Sequence, residues 1–228
     1  CARQVWQEYQ RQLWDPGCVT RDVGTDADEH YFVQLGDLGV LFADMKTSRM
    51  RPDGSRLPQE PMLSHPQVLF WPEKLTTPGL LCLFVVAEVP FVWYSRAEVA
   101  RRSAAYRERL AAGHLAGEEA GEGGVGFGSA VPIYDHWSYD DALLVELLET
   151  FFEWKALVPG REVVLLCGGT HVGCETTLHD TRTNADIRQL TVGPANDAPR
   201  RFEPERAGVV DAARRFTYEH APFARAPW

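Results

Sequence analysis

The sequence has little of what builds a membrane span, a zinc finger or a nucleic-acid surface. Its longest apolar stretch, 79–93, is interrupted by Glu88 and Pro90, whereas a membrane helix needs about 18 or more apolar residues in a row. No two of the five cysteines have the C-x-x-C spacing of structural zinc sites. Acidic residues outnumber basic ones, 32 against 23, and the net charge of −9 argues against nonspecific binding to nucleic acid or anionic membranes.

Several catalytic signatures are also missing. The chain contains neither the Gly-x-Ser-x-Gly of serine hydrolases nor the His-Glu-x-x-His of zinc proteases. The glycine-rich stretch 117–128 is not followed by Lys-Ser or Lys-Thr, and its glutamates would repel phosphate. We therefore interpret 117–128 as a flexible acidic loop and not as a nucleotide cradle.

The composition is that of an ordinary globular domain. The 228 residues suit one domain or most of one, and 45% of them are hydrophobic. Cys82 and Cys167 lie in apolar runs, which favours reduced thiols packed as small hydrophobes and an intracellular location. The chain opens on Cys1 without methionine, so we expect it to begin partway through a larger protein.

Periodicity predicts helices interleaved with apolar strands. Helical spacing predicts helices over 2–14, 95–116, 139–157 and 203–219. Strands are predicted at 31–35, 38–44, 79–89, 162–167, 175–179 and 186–192, with a tight turn at Gly36-Asp37 and another over 181–184. Residues 46–77 hold five prolines and are interpreted as a long surface loop with one short helix. The pattern predicts an α/β protein with a mixed sheet flanked by helices.

One stretch concentrates reactive side chains after a buried strand. The apolar run 163–167 is followed by Gly168-Gly169-Thr170-His171 and then by Val172-Gly173-Cys174-Glu175-Thr176-Thr177. In open α/β sheets, ligands bind at the carboxyl ends of the strands. His171 therefore stands where such a sheet presents a functional side chain.

This stretch resembles the last metal-binding motif of the PhoD-like branch of the calcineurin-type metallophosphoesterases. That motif reads Gly-Asp-x-His, so Gly169 stands here in place of the aspartate. Four other segments resemble the family in order and spacing. They are Leu41–Arg49, Ala87–Phe91, Tyr134–Tyr139 and the closing segment 177–194. The family's earlier Gly-Asp-x-x-x-x-Asp and Trp-Asp-Asp-His-Glu elements are absent from the sequence.

The resemblance implies that 1–228 is the C-terminal portion of one PhoD-like domain, part of an αββα sandwich. An uncovered sheet face would make such a portion prone to aggregation. It also implies two or more divalent or trivalent metal ions in the complete domain, with Fe, Ca, Zn and Mn as candidates. His171 and Asp44 are the implied metal ligands, and Cys174 is either a softer ligand or a packed small residue.

Four further residues are candidates for substrate chemistry. Arg49 and Lys46 follow the Asp44 strand, and a guanidinium matches phosphate oxygens in pairs; the alternative is a salt-bridged strand end. Asp135 and His136 precede a helix, where His136 would protonate a leaving group. Their alternative role is to cap the helix, with Trp137 packed in the core. Asp180 is expected to be a turn residue.

The implied activity is metal-dependent hydrolysis of phosphate mono- or diesters. We expect the parent domain to be a hydrolase acting on a phosphorylated small molecule or lipid, and this segment alone to be inactive because most metal ligands are missing. Two alternatives remain open: a degenerate phosphoesterase fold used as a binding scaffold, and a truncated fragment without function.

Overall fold

The apolar runs of the sequence become the strands of one sheet in a computed structural model. It describes residues 30–45, 63, 65–94, 98, 101, 137, 141–168, 173–192 and 206–222. The elements are β1 (Tyr31–Leu35), β2 (Leu38–Phe42), α1 (His65–Leu75), β3 (Cys82–Ala87), α2 (Asp141–Leu157), β4 (Glu162–Cys167), β5 (Cys174–Asp180), β6 (Ala185–Thr191), β7 (Ala207–Val209) and β8 (Phe216–Pro222). Neither described helix has the length and apolar character needed to cross a bilayer.

The sheet is mixed, as predicted. Its eight strands run in the order β1-β2-β3-β4-β6-β5-β8-β7. The pairs β2–β3, β3–β4 and β4–β6 are parallel, whereas the remaining pairs are antiparallel. The two most apolar strands, β3 and β4, lie in the parallel centre, which is typical of strands with apolar side chains on both faces. The predicted α/β class with a mixed sheet and helices is therefore confirmed.

Both predicted hairpin turns are present. Gly36 turns the chain between β1 and β2 with a φ of 66°, a left-handed conformation that glycine adopts without a steric penalty. Asn184 closes the β5–β6 turn with a φ of 51°, and asparagine tolerates this region better than most residues. These turns set the register of the antiparallel pairs on either side of the parallel centre.

The two helices share one hydrophobic core with one face of the sheet. Helix α2 presents the predicted apolar stripe, and Leu144, Leu148 and Phe151 are all buried. The ring of Trp71 on α1 stacks on Phe151 at 5.8 Å between centroids. Ring stacking and burial of large side chains are the main contributions to the stability of such a core.

The other face of the sheet changes character across its width. On the β1–β4 half it is apolar and incompletely covered: Val33 and Leu35 are 37% and 63% exposed, and Phe84 is half-buried. On the β5–β6 half the same face is polar, with His179 bonded to Asp186 at 2.8 Å. A polar half suits water, whereas an apolar half favours cover by another layer of protein.

The predicted C-terminal helix over 203–219 is wrong. The described part of that region, 206–222, contains β7 and β8 instead. Phe216, Tyr218 and His220 are buried and alternate with half-buried or exposed residues, which is the period of two of a strand. Pairing of β8 with β5 along its whole length outweighs the local helical preference.

The interpretation of 46–77 as a surface loop also needs correction. Its short helix exists as α1, which contains Pro72 and eleven residues, but Gln67 and Trp71 on it are fully buried. The proline-rich composition concealed this core contribution. The predicted helices 2–14 and 95–116 (Glu98 and Arg101 apart) and the loop 117–128 lie outside the described residues.

Candidate functional site at the carboxyl edge of the parallel strands

Four neighbouring parallel strands end at one edge of the sheet. These strands are β2, β3, β4 and β6, and their last residues are Phe42, Ala87, Cys167 and Thr191. Because parallel strands point the same way, the segments that leave them begin side by side. This edge, called the carboxyl edge below, is where open α/β sheets bind ligands.

Asp44 lies at the carboxyl edge just beyond β2. The amide of Ala43 still donates to Val86 of β3 at 2.9 Å, and the chain leaves the sheet after that bond. Asp44 is buried, and the side chain of Gln67 makes hydrogen bonds to both the N–H and the C=O of its backbone. The amide of Asp44 donates to Gln67 Oε1 at 2.9 Å, and Gln67 Nε2 donates to the Asp44 carbonyl at 2.6 Å.

The remaining predicted site residues lie outside the described residues. These are Lys46, Arg49, Asp135, His136 and His171, together with Gly169. Their roles stay predictions. Trp137, the next residue after His136, is described: it is fully buried and stacks on Phe91 at 4.8 Å, as the core-packing interpretation expected.

A row of buried polar side chains on β5, β6 and β8 was not anticipated. It consists of Thr176, Gln189, Thr191 and His220, which face the helix side of the sheet. Gln189 Oε1 accepts from the amide of Val92 at 3.0 Å, and its Nε2 donates to the carbonyl of Val92 at 2.8 Å. The segment that follows β3 is thereby fastened to β6.

His220 fastens the same segment from β8. Its Nε2 lies 3.2 Å from the carbonyl oxygen of Trp93, which only accepts, so Nε2 carries the proton. Nδ1 therefore accepts from the Thr176 hydroxyl at 2.7 Å. Burial lowers the pKa of His220 to about 4, against a smaller opposing effect of the Trp93 carbonyl, so the ring is neutral at pH 7. The alternation of Phe216, Tyr218 and His220 with other residues is a sequence signal for a strand, and the prediction of a helix over 203–219 did not take it into account.

The cysteines near this edge are buried thiols. Burial raises the pKa of Cys167 to about 12 and that of Cys174 to about 11, so both are protonated at neutral pH. The thiolate is the nucleophile and the metal ligand. Cys82, Cys167 and Cys174 form no disulfide. The packing role of Cys174 is the one this geometry favours.

Asp180 lies at the opposite end of β5 and is a structural turn residue. Burial by itself raises its pKa, but hydrogen bonds from Arg215, from the Arg182 amide and from Thr183 lower it to about 2. Arg215 Nε donates to Asp180 Oδ1 at 2.9 Å, and Arg215 also pairs with Glu149 of α2. The carboxylate therefore joins the β5–β6 turn to the β7–β8 connection.

The described residues do not by themselves fit a two-metal site. Among them, no group of three or more histidine, cysteine, aspartate or glutamate side chains converges to hold a metal ion. Asp44 is the one implied ligand that falls in this part of the chain. A pair of cations needs ligands from several strand ends, and Asp44 by itself does not supply them.

Comparison with known proteins yields one distant likeness. No protein-family model matches the chain, and no curated protein matches it. A solved structure titled "Structure of PhoD" is similar, with 14% sequence identity and a TM-score of 0.47. The likeness covers 75% of this chain and 30% of that one, so the chain spans less than a third of the length of the solved protein.

Proposed function

We propose that this chain is the C-terminal part of a PhoD-like metallophosphoesterase domain whose parent protein hydrolyses phosphate mono- or diesters. One observation carries the proposal. The family-like segments around Asp44 and at 87–91, and the one that starts at Gly168, leave β2, β3 and β4, which are adjacent parallel strands. Three segments that resemble the family and are far apart in the chain therefore start side by side at the carboxyl edge, where open α/β sheets bind ligands.

The proposed roles follow the chemistry of each side chain. His171 and Asp44 would hold a metal ion, Arg49 and Lys46 would bind phosphate oxygens, and His136 beside Asp135 would protonate the leaving group. Bound metal ions would supply charge stabilisation and an activated water. A phosphorylated small molecule or lipid is the proposed substrate class.

The half-covered face of the sheet gives separate support. Val33, Leu35 and Phe84 belong to an apolar surface on β1–β3 that the described residues cover only in part. A sandwich of two sheets would bury that surface against a second sheet supplied by the rest of the parent domain. The polar side chains of the β5–β6 half would stay in water.

Hydrolysis of bis-p-nitrophenyl phosphate tests the proposal. The parent protein, expressed with the sequence that precedes Cys1, should hydrolyse this diester in a metal-dependent manner, and a chelator should abolish the activity. His171→Ala should lower kcat at least about 100-fold, the scale of losing a metal ligand. The chain 1–228 alone should show no activity. Metal-dependent turnover by this chain alone would contradict the expected division of ligands, and His171→Ala without effect would remove the proposed site.

A degenerate fold that serves as a binding scaffold is the second candidate. It is favoured by Gly169 in place of the motif aspartate and by the closed hydrogen bonding of Gln189 and His220 near the carboxyl edge. Gly169→Asp in the parent protein discriminates between the two. Activity that appears only in this variant identifies a lost enzyme, whereas activity already present in the native protein excludes the scaffold.

A further inference from the structure

Two buried glutamines make the same unusual contact at two neighbouring strand ends. Gln67 pairs with the N–H and the C=O of Asp44 at 2.9 and 2.6 Å. Gln189 pairs with the N–H and the C=O of Val92 at 3.0 and 2.8 Å. Both side chains are fully buried. Each glutamine thus satisfies both backbone groups of one residue.

Glutamine is suited to this contact because its amide has a donor and an acceptor side by side. The pair of bonds reproduces what an adjacent strand offers to one residue of a ladder. Glutamate at neutral pH accepts but does not donate, and methionine does neither. Buried backbone groups that lose their partners carry a desolvation penalty, so the segment would move to recover them.

The two contacts occur where the backbone has left the sheet. Asp44 follows the last ladder bond of β2, and Val92 lies beyond the end of β3. Trp93, next to Val92, is held in addition by His220 Nε2 at 3.2 Å. These side-chain contacts hold the backbone of Asp44 and of Val92 and Trp93 beyond the ends of β2 and β3, along the carboxyl edge.

We propose that Gln67 and Gln189 are positioning residues of the carboxyl edge, with Gln67 setting the place of Asp44 and Gln189 that of Phe91–Tyr94. They act through backbone groups and touch no reacting atom in the proposed chemistry. The inference rests on the proposed function only where it assigns a ligand site to the carboxyl edge. The contacts of the two glutamines with the backbone are a property of the chain and can be measured without catalysis.

Hydrogen exchange of the Asp44 amide in the 15N-labelled chain tests the contact with Gln67. Gln67→Met should lower the protection of Asp44 by about tenfold or more at every pH, the size expected for lost buried hydrogen bonds. Gln67→Glu should also lower it at pH 8, because an ionised carboxylate accepts but cannot donate to the Asp44 carbonyl. The amide of Leu165 in β4 should keep its protection in all variants and so reports global stability.

A matched control is available in Gln34→Glu. Gln34 is exposed and donates from Nε2 to the carbonyls of Gly36 and Pro78. The same change of chemistry there should leave the protection of Asp44 unchanged. Equal losses at Asp44 and Leu165 in Gln67→Met, or unchanged protection of Asp44 in that variant, would overturn the positioning role. The protection of the Val92 amide in Gln189→Glu provides a second, independent test of the same kind.

Turnover then separates this inference from the proposed function. In the parent protein, Gln67→Glu should lower kcat about tenfold at pH 8 with KM unchanged. If the native parent protein does not hydrolyse the diester, the proposed function is contradicted. The hydrogen-exchange result then tests by itself whether Gln67 positions Asp44. Native turnover with an unaltered kcat in Gln67→Glu overturns the positioning of Asp44.

Discussion

Asp180 and His220 show how burial alone does not decide the charge of a residue. Both are almost completely buried. Asp180 is ionised because Arg215 and two further donors surround its carboxylate, which lowers its pKa to about 2. His220 is neutral because its partners, Thr176 and the Trp93 carbonyl, satisfy the uncharged ring and burial lowers its pKa to about 4. The two residues therefore respond to acid in different pH windows.

Asp180→Asn should lower the free energy of unfolding by about 2–3 kcal/mol at pH 7, since Arg215 loses a buried anionic partner. Asp186→Asn is the matched control, because Asp186 is exposed and pairs across the surface with His179. It should change stability by less than about 0.5 kcal/mol. Urea unfolding measures both, and equal effects would contradict the structural role of Asp180.

The contribution of Asp180 should disappear in strong acid. Its pKa is lower in the folded state than the ordinary 3.8, so the stabilisation is complete above that value and is lost as pH falls towards about 2. The difference in unfolding free energy between the native chain and Asp180→Asn should therefore shrink between pH 4 and pH 2. A constant difference over this window would argue against an ion pair.

His220 should make the chain less stable in mild acid. The unfolded state takes up a proton near the ordinary pKa of 6.5, whereas the folded state does so only near 4, so stability falls as pH drops between these values. The loss is on the order of 3 kcal/mol. His220→Gln should flatten the slope of unfolding free energy against pH over this window, and an unchanged slope would assign it to other groups.

At the scale of elements, the C-terminal region 206–222 carries the main disagreement between local preference and structure. Strand β7 pairs with β8, and Gly208 lies directly opposite Tyr218. A Cβ atom at position 208 would approach the Tyr218 hydroxyl to 2.5 Å and Cζ to 2.7 Å. Glycine lets the ring of Tyr218 pack over the backbone of β7, which a helix over 203–219 would not require.

Gly208→Ala should therefore change the stability of the chain in opposite directions in the observed β7–β8 hairpin and in a helix over 203–219. In the β7–β8 hairpin it should destabilise the chain by about 1–3 kcal/mol, because the methyl group overlaps the buried ring. In a helix it would stabilise by about 1 kcal/mol, the difference in helix propensity. Thermal unfolding of the native chain and of Gly208→Ala distinguishes the two cases. The loss of stability should be smaller in a Tyr218→Phe background, because that background lacks the hydroxyl group nearest to the added methyl group.

At the scale of the whole molecule, the sheet separates two environments. One face is covered by α1 and α2, which meet through Trp71 and Phe151 and through a bond from Trp154 Nε1 to the Leu75 carbonyl at 2.8 Å. The other face is apolar across β1–β4 and only half-covered. Exposed apolar surface on a sheet favours association with further copies of the chain.

Sedimentation of the chain 1–228 should therefore show concentration-dependent self-association. Leu35→Lys, on the half-covered face, should reduce it, since a charge there must be desolvated on association. Leu69→Lys is the matched control: Leu69 is equally exposed, 62% against 63%, but lies on α1. Equal effects of the two substitutions would show that the β1–β4 face is not the surface that associates.

The sequence by itself determined the parts whose signals are local. The apolar runs of β3 and β4, the turns at Gly36 and Asn184 and the stripe of α2 follow from residue pattern alone, and the order of these elements led to the mixed sheet. The location of Asp44 at a strand end was predictable for the same reason. Neighbouring residues along the chain contain all the information that these features need.

Only the tertiary structure decided what pairs across the chain. Gln189 meets Val92 at a separation of 97 residues, and His220 meets Trp93 at 127. No local period records such contacts, because the partner of each buried polar group lies on another segment, far away along the chain. The same holds for β8, which pairs with β5 and with β7 where the local pattern predicted a helix. The long-range hydrogen bonds that shape the carboxyl edge cannot be predicted from helix or strand periodicity, because that periodicity describes only neighbouring residues.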